Sequence, residues 1–195
     1  MISAIILAAG QSKRMGQPKM LLPWGKSTVI EHVISTFLDA GIKDITVVTG
    51  GAREQVERAI SQYPVRSVHN TDYEAGEMLS SIQCGLSVMT PQAQATLVGL
   101  GDQPQVQENS VRLICEEYQV SQSRLIVPSF QMRRGHPWLV ARSLWNEILA
   151  LKPPESPRDF LTRHANAIHY VNVETQSILA DLDTPEDYER SHPTG

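Results

Sequence analysis

The chain has 195 residues, 41% of them hydrophobic and 19% charged, and a formal net charge of −4. That is enough for one packed domain spanning 1–195, and it argues against disorder. The acid excess excludes a global basic field for nucleic acid. No apolar run approaches the roughly 20 residues of a membrane span, and the well-separated Cys84 and Cys115 fit neither a zinc site nor a disulfide framework, which points to the cytoplasm.

Taken in order, short apolar runs alternate with helical patterns. Residues 2–8 read as a buried strand by length and branching. After a loop, Ile30, Val33, Ile34, Phe37 and Leu38 mark a helix face ended by Gly41. Residues 45–49 are a strand, Val56 and Ile60 mark a helix, and 65–69 form a third strand. A helix is predicted over 78–89, a strand over 95–100, a helix around Val111, Ile114, Cys115 and Tyr118, and a strand over 125–127. Beyond Pro128 the pattern loosens: 138–140 reads as a short strand that can run antiparallel, 152–157 as a loop, 167–173 as a last strand and 185–190 as a terminal helix. This alternation predicts an α/β fold, a three-layer, doubly wound, mostly parallel sheet. Ligands of such sheets bind at the strands' carboxyl ends, where the strand order reverses. Segments 9–19, 101–104 and 181–187 therefore carry the functional expectation.

The first of these reads Ala9-Gly10-Gln11-Ser12-Lys13-Arg14-Met15-Gly16-Gln17-Pro18-Lys19. Its glycine spacing matches neither the dinucleotide fingerprint nor the P-loop. Gly10 and Gly16 still allow a tight turn whose N–H groups face an anion. Arg14 adds a planar fork and Lys19 a point charge, so the segment suits a triphosphate better than a merely solvated loop.

Asp102, on the Gly101-Asp102-Gln103-Pro104 turn, can aim a carboxylate into the cleft as a start for Mg²⁺ binding, or can cap the next turn. Asp181 and Asp183 lie on one side of an extended segment. Thr184 and Pro185 then read as a helix start, with Glu186 and Asp187 in its first turn. Residues 132–137, Met-Arg-Arg-Gly-His-Pro, form a second cationic loop. His136 can be a structural histidine, and Ser80 and Ser81 can be plain helix-start residues. Trp138 and Trp145 read as core, and the other histidines show no ligand spacing.

The run Leu7-Ala8-Ala9-Gly10-x-Ser12-x-Arg14-Met15-Gly16-x-x-Lys19-x-Leu21-Leu22, with the three later motifs in order, resembles the MobA-like nucleotidyltransferases, and among them the molybdenum cofactor cytidylyltransferases. The resemblance implies a nucleotide-diphospho-sugar transferase-like Rossmann-type fold. It implies Arg14, Lys19 and Asp102 as catalytic residues, and Mg²⁺ or Mn²⁺ held by Asp102 with Asp183, or with Asp181 in reserve. Leu7, Ala8, Ala9, Gly10 and Gly16 would hold the nucleotide. Ser81, within a Gly76-x-x-x-Ser80-Ser81 segment, would help hold the base. Arg134, Gly135 and His136 would face the acceptor, a pterin with a phosphate tail.

The resemblance further implies CTP as co-substrate, molybdopterin as acceptor, and a recipient molybdoenzyme or its chaperone as partner, with no nucleic acid or membrane involved. Guanylyl members usually carry Leu-Ala-Gly-Gly, so the methyl of Ala9 favours the smaller pyrimidine by ~1–3 kcal/mol. Gln103, where guanylyl members often have Met, points the same way. The rivals are a GTP-dependent guanylyltransferase, another nucleotidyltransferase, and a non-catalytic chaperone that delivers the cofactor.

Overall fold

The computed structural model describes residues 1–75 and 78–193. In chain order the strands and helices are β1 (Ile2–Ala8), β2 (Pro23–Trp24), β3 (Ser27–Thr28), α1 (Val29–Asp39), β4 (Ile45–Thr49), α2 (Arg53–Ile60), β5 (Arg66–His69), α3 (Met78–Ser87) and β6 (Ala95–Leu100). There follow α4 (Glu108–Ser121), β7 (Leu125–Phe130), β8 (Arg133–Arg134), β9 (Trp138–Ala141), α5 (Trp145–Ala150), α6 (Pro157–Arg163), β10 (His169–Asn172) and α7 (Pro185–Ser191). The expected elements are all present. Strand β8 and helices α5 and α6 are additions in the stretch beyond Pro128 where the pattern loosens, and the small β2–β3 hairpin is an addition ahead of α1.

Helix α6 begins as the caps dictate. Ser156 and Asp159 satisfy each other's backbone N–H groups, and Pro157 takes the first helical position, where its missing N–H is harmless. Helix α7 repeats the device with Thr184, Pro185 and Asp187, as the sequence predicts.

The main sheet runs β10-β7-β9-β6-β1-β4-β5, with β8 paired to β7. Neighbours are parallel except around β9, which is antiparallel to both β6 and β7, and at β8, which is antiparallel to β7. From β1 the chain winds outward through β4 to β5, then crosses back to place β6 on the other side of β1. The strand order thus reverses at the β1–β6 pair, where Leu7 stands opposite Leu100. Both strands end there, one running into residues 9–19 and the other into Gly101-Asp102.

β1 is apolar except at Ser3, whose buried hydroxyl donates to Asp44, because the strand is buried on both faces. Ala4, Ile6 and Ala8 pack into one core with α1, α2 and α4. Ile5, Leu7 and Ala9 pack into a second core with α3, α5 and α6. Two cores around one sheet make the three layers. Trp138 and Trp145 belong to the second core.

A third, small cluster matters most for the site. Met15, Leu22, Trp24, Val29 and Leu182 bury together, with Tyr188 packed against them. Tyr188 also donates its hydroxyl to the Pro23 carbonyl at 2.6 Å. This cluster pins the opening loop to the segment carrying Asp181 and Asp183.

Candidate active site

The loop after β1 folds around two left-handed residues, Ser12 (φ 51°) and Gly16 (φ 67°). The tight turn expected at Gly10 and Gly16 therefore sits at Ser12 and Gly16. Gly10 has an ordinary φ, and a Cβ there would meet only open space. Its lack of a side chain keeps the cleft wall open. Ser12 earns its strained backbone through its contacts: its carbonyl accepts the Met15 N–H at 3.0 Å, and its Oγ accepts the Lys19 N–H at 3.0 Å. Among the described residues, Met15 is the one member of 10–18 whose amide finds an acceptor in the protein. Pro18 has no N–H, and the other amides of the stretch make no hydrogen bond to the protein among the described residues.

Lys19 is held between carboxylates from two distant segments. Its Nζ donates to Asp102 Oδ2 and, at 3.2 Å, to Asp183 Oδ1. Asp183 Oδ2 in turn accepts from Arg14 Nη2 at 3.1 Å. The Lys19 and Asp102 side chains are 11% and 16% exposed, and Asp183 is 40% exposed. Burial alone would lower the Lys19 ammonium. The charge and hydrogen bond of Asp102, followed by those of Asp183, outweigh it and raise the group above its usual value of 10.5.

Asp102 therefore reaches the cleft rather than capping a helix. Its carbonyl takes the Leu182 N–H at 3.1 Å, which ties the 181–183 segment to the end of β6. A Cβ at position 101 would come within 2.9 Å of the Leu7 carbonyl oxygen and 3.0 Å of Met20 Sδ, so only glycine lets the two strand ends approach this closely.

The extended 181–183 segment alternates as expected. Leu182 is fully buried, while Asp181 and Asp183 both line the cleft. Asp181 accepts from Gln103 Nε2 at 2.6 Å. Burial first, and the nearby charge of Asp102 second, push its carboxyl above the usual range, against the downward pull of Gln103. Gln103, 3% exposed, thus acts as a support for Asp181.

These groups surround a cleft of about 500 Å³. Leu7, Ala9, Gly10, Arg14, Lys19, Ser81, Asp102, Asp181 and Asp183 all line it, although they come from four separate stretches of chain. Tyr73, Glu74 and Met78 also line it, and no local sequence signal singled them out. Ala8 points into the opposite core, so only its backbone faces this side. Gly16 borders a second hollow across the loop, of about 700 Å³, with Gly51, Gln55 and Tyr73. Gly76, expected within the base-holding segment, lies outside the described residues.

Arg134, Gly135 and His136 line neither hollow. Arg134 donates to the Tyr170 hydroxyl at 2.8 Å and lies over its ring. The Gly135 N–H donates to the Pro128 carbonyl and the His136 N–H to the Ile178 carbonyl, each at 3.0 Å. A Cβ on Gly135 would stand 2.4 Å from that Ile178 oxygen. This loop therefore buttresses the turn at 176–179, from which the acidic segment departs. Burial pushes the His136 imidazole down to about 4, so it is neutral at pH 7.

Among the described residues, no group of three or more His, Cys, Asp or Glu is placed to hold a metal ion by itself. The donor set still fits Mg²⁺ or Mn²⁺. Asp102 and Asp183 already share one cation, the Lys19 ammonium. Such ions are commonly held by one or two carboxylates with substrate phosphates supplying the rest. The arrangement offers cations and free amides for a polyphosphate, carboxylates for its counter-ion, and an apolar recess near Leu7, Ala9 and Leu100 for a ring.

Residues 4–168 match the family model of the MobA-like NTP transferase domain. The chain is 30% identical over 188 residues to a molybdenum cofactor cytidylyltransferase of Escherichia coli (strain K12), covering 96% of this chain and 93% of that protein. It is 28% identical over 193 residues to a nicotine blue oxidoreductase of Paenarthrobacter nicotinovorans, with 95% and 93% covered. Among solved structures, Rv0371c from Mycobacterium tuberculosis H37Rv aligns with a TM-score of 0.84 at 27% identity over 97% of both chains. A complex of that protein with manganese aligns with a TM-score of 0.79 at 26% identity, covering 97% of this chain and 96% of that one.

Proposed function

The chain belongs to the MobA-like NTP transferase family, and on that footing we propose that it is a cytoplasmic cytidylyltransferase that moves CMP from CTP onto the terminal phosphate of molybdopterin. One observation carries the reading: the cations of the β1 loop and the carboxylates at positions 102 and 183 meet in a single cleft that also contains Ser81.

CTP lies with its base beside Ala9, Leu100 and Ser81 and its phosphates against the loop amides, Arg14 and Lys19. An oxygen of the molybdopterin phosphate attacks the α-phosphorus, and the bond to the bridging oxygen of pyrophosphate breaks. The attacking phosphate is already ionised at pH 7, so no protein base is needed. Catalysis is then alignment plus neutralisation of charge. Lys19 and Arg14 draw charge toward the leaving pyrophosphate. Asp102 and Asp183 would hold Mg²⁺, which supplies further neutralisation of the phosphate oxygens.

Pyrophosphate release with each of the four NTPs, using molybdenum-loaded and metal-free molybdopterin, tests the reading. Turnover confined to CTP is expected. Turnover with GTP alone would overturn the base assignment resting on Ala9. Asp102→Ala is expected to abolish turnover. Retained delivery of the cofactor to a molybdoenzyme by a chain that never turned over CTP would favour the chaperone.

A further inference from the structure

Asn70 follows the last residue of β5 and is 3% exposed. Its backbone N–H donates to the Thr49 carbonyl at 2.9 Å, and its Oδ1 accepts the Asp72 N–H at 3.0 Å. A carbonyl oxygen must face that N–H, so the amide orientation is set. The other end of the amide, Nδ2, then donates to Ser80 Oγ at 3.0 Å and to Ser81 Oγ at 3.1 Å. Each side-chain polar atom of Asn70 is thereby used.

Ser81 is 6% exposed and lines the cleft. Its oxygen is occupied as an acceptor by Asn70. Among the described residues, no protein acceptor takes its hydroxyl proton. A hydroxyl whose lone pair is engaged on one side turns its proton to another. Here the open side is the cleft, beside Ala9 and Leu100.

We propose that Asn70 is a positioning residue that sets the polarity of Ser81, so that the cleft presents a hydrogen-bond donor to an acceptor atom of the nucleobase. The inference rests on the nucleotidyltransferase reading and adds the chemistry by which a base is read. A ring carbonyl or unprotonated ring nitrogen is welcomed at this point, and an N–H is turned away.

Asn70→Asp is the discriminating variant. The shape is kept and the Asp72 N–H is still accepted. The second carboxylate oxygen, however, draws the Ser81 hydroxyl proton to itself, leaving only lone pairs toward the cleft. We expect KM for CTP to rise about tenfold, as for one lost hydrogen bond, with kcat changed less than about twofold. Ser81→Ala should give a similar rise. The double variant should be no worse than Ser81→Ala alone, because Asn70 acts through that hydroxyl.

Unchanged KM in Asn70→Asp, or losses that add in the double variant, would overturn the proposal. If Asn70→Asp does not fold, Asn70→Ala in a chain of wild-type melting behaviour serves instead, with the same requirement of non-additivity. Measuring equilibrium binding of all four NTPs by calorimetry on the same variants separates the two readings. A wild-type chain preferring another base defeats the cytidylyl assignment, while the cycle on that nucleotide still decides the role of Asn70.

Discussion

Replacing Lys19 by Met keeps the length and burial of the side chain and removes its charge. Asp102 and Asp183 then face each other, and the neighbouring Asp181, without the ammonium that joins them. Deleting one partner of a buried ion pair costs about 3–5 kcal/mol. Because Asp183 is 40% exposed and the cleft admits water, we expect about 2–3 kcal/mol here. For a chain of this size that corresponds to a melting temperature lower by about 5–10 °C.

The sign with pH follows from the raised Lys19 value. Its stabilisation is complete below 10.5 and is lost only as pH climbs through the raised value, so the gap to wild type should stay level between pH 7 and 9. Differential scanning calorimetry measures it. Adding Asp102→Asn to Lys19→Met removes the stranded carboxylate and should recover about half of the loss. A Lys19→Met chain melting within about 2 °C of wild type, well short of that shift, would show that the ion-pair cluster is not formed in solution.

Gly135→Ala should lower kcat about a hundredfold, as for a displacement of roughly 1 Å at the reacting groups. The reason is that its Cβ meets the Ile178 oxygen at 2.4 Å and must displace the segment leading to Asp181 and Asp183. A stability loss of about 1–3 kcal/mol accompanies it, and wild-type turnover with unchanged melting would refute the buttress. His136 titrates at about 4 rather than 6.5, so the unfolded chain binds the extra proton first. Stability should therefore decline as pH falls from 6.5 toward 4, by about 2–3 kcal/mol. Urea melts at pH 7 and 4.5 should show that component missing in His136→Gln.

Strand and helix positions were readable in the chain because period, branching and caps are local properties. Residues 2–8 turn apolar side chains to both faces, with Ser3 the one polar member, and Thr184-Pro185-x-Asp187 closes its own helix start. The loop of cations and glycines after the first strand was legible for the same reason, as was the alternation that turns Asp181 and Asp183 one way and Leu182 the other. Fold packing alone decided which acids meet Lys19, since Asp102 and Asp183 lie 83 and 164 positions away. Their meeting depends on β6 crossing back beside β1 and on Leu182 entering the cluster with Met15 and Trp24. Local pattern carries no trace of such pairings, because the free energy that selects them comes from burying surfaces of remote segments together. Gly135 illustrates the same limit: its sequence neighbours are cationic, but the atom that constrains it is a carbonyl oxygen at residue 178.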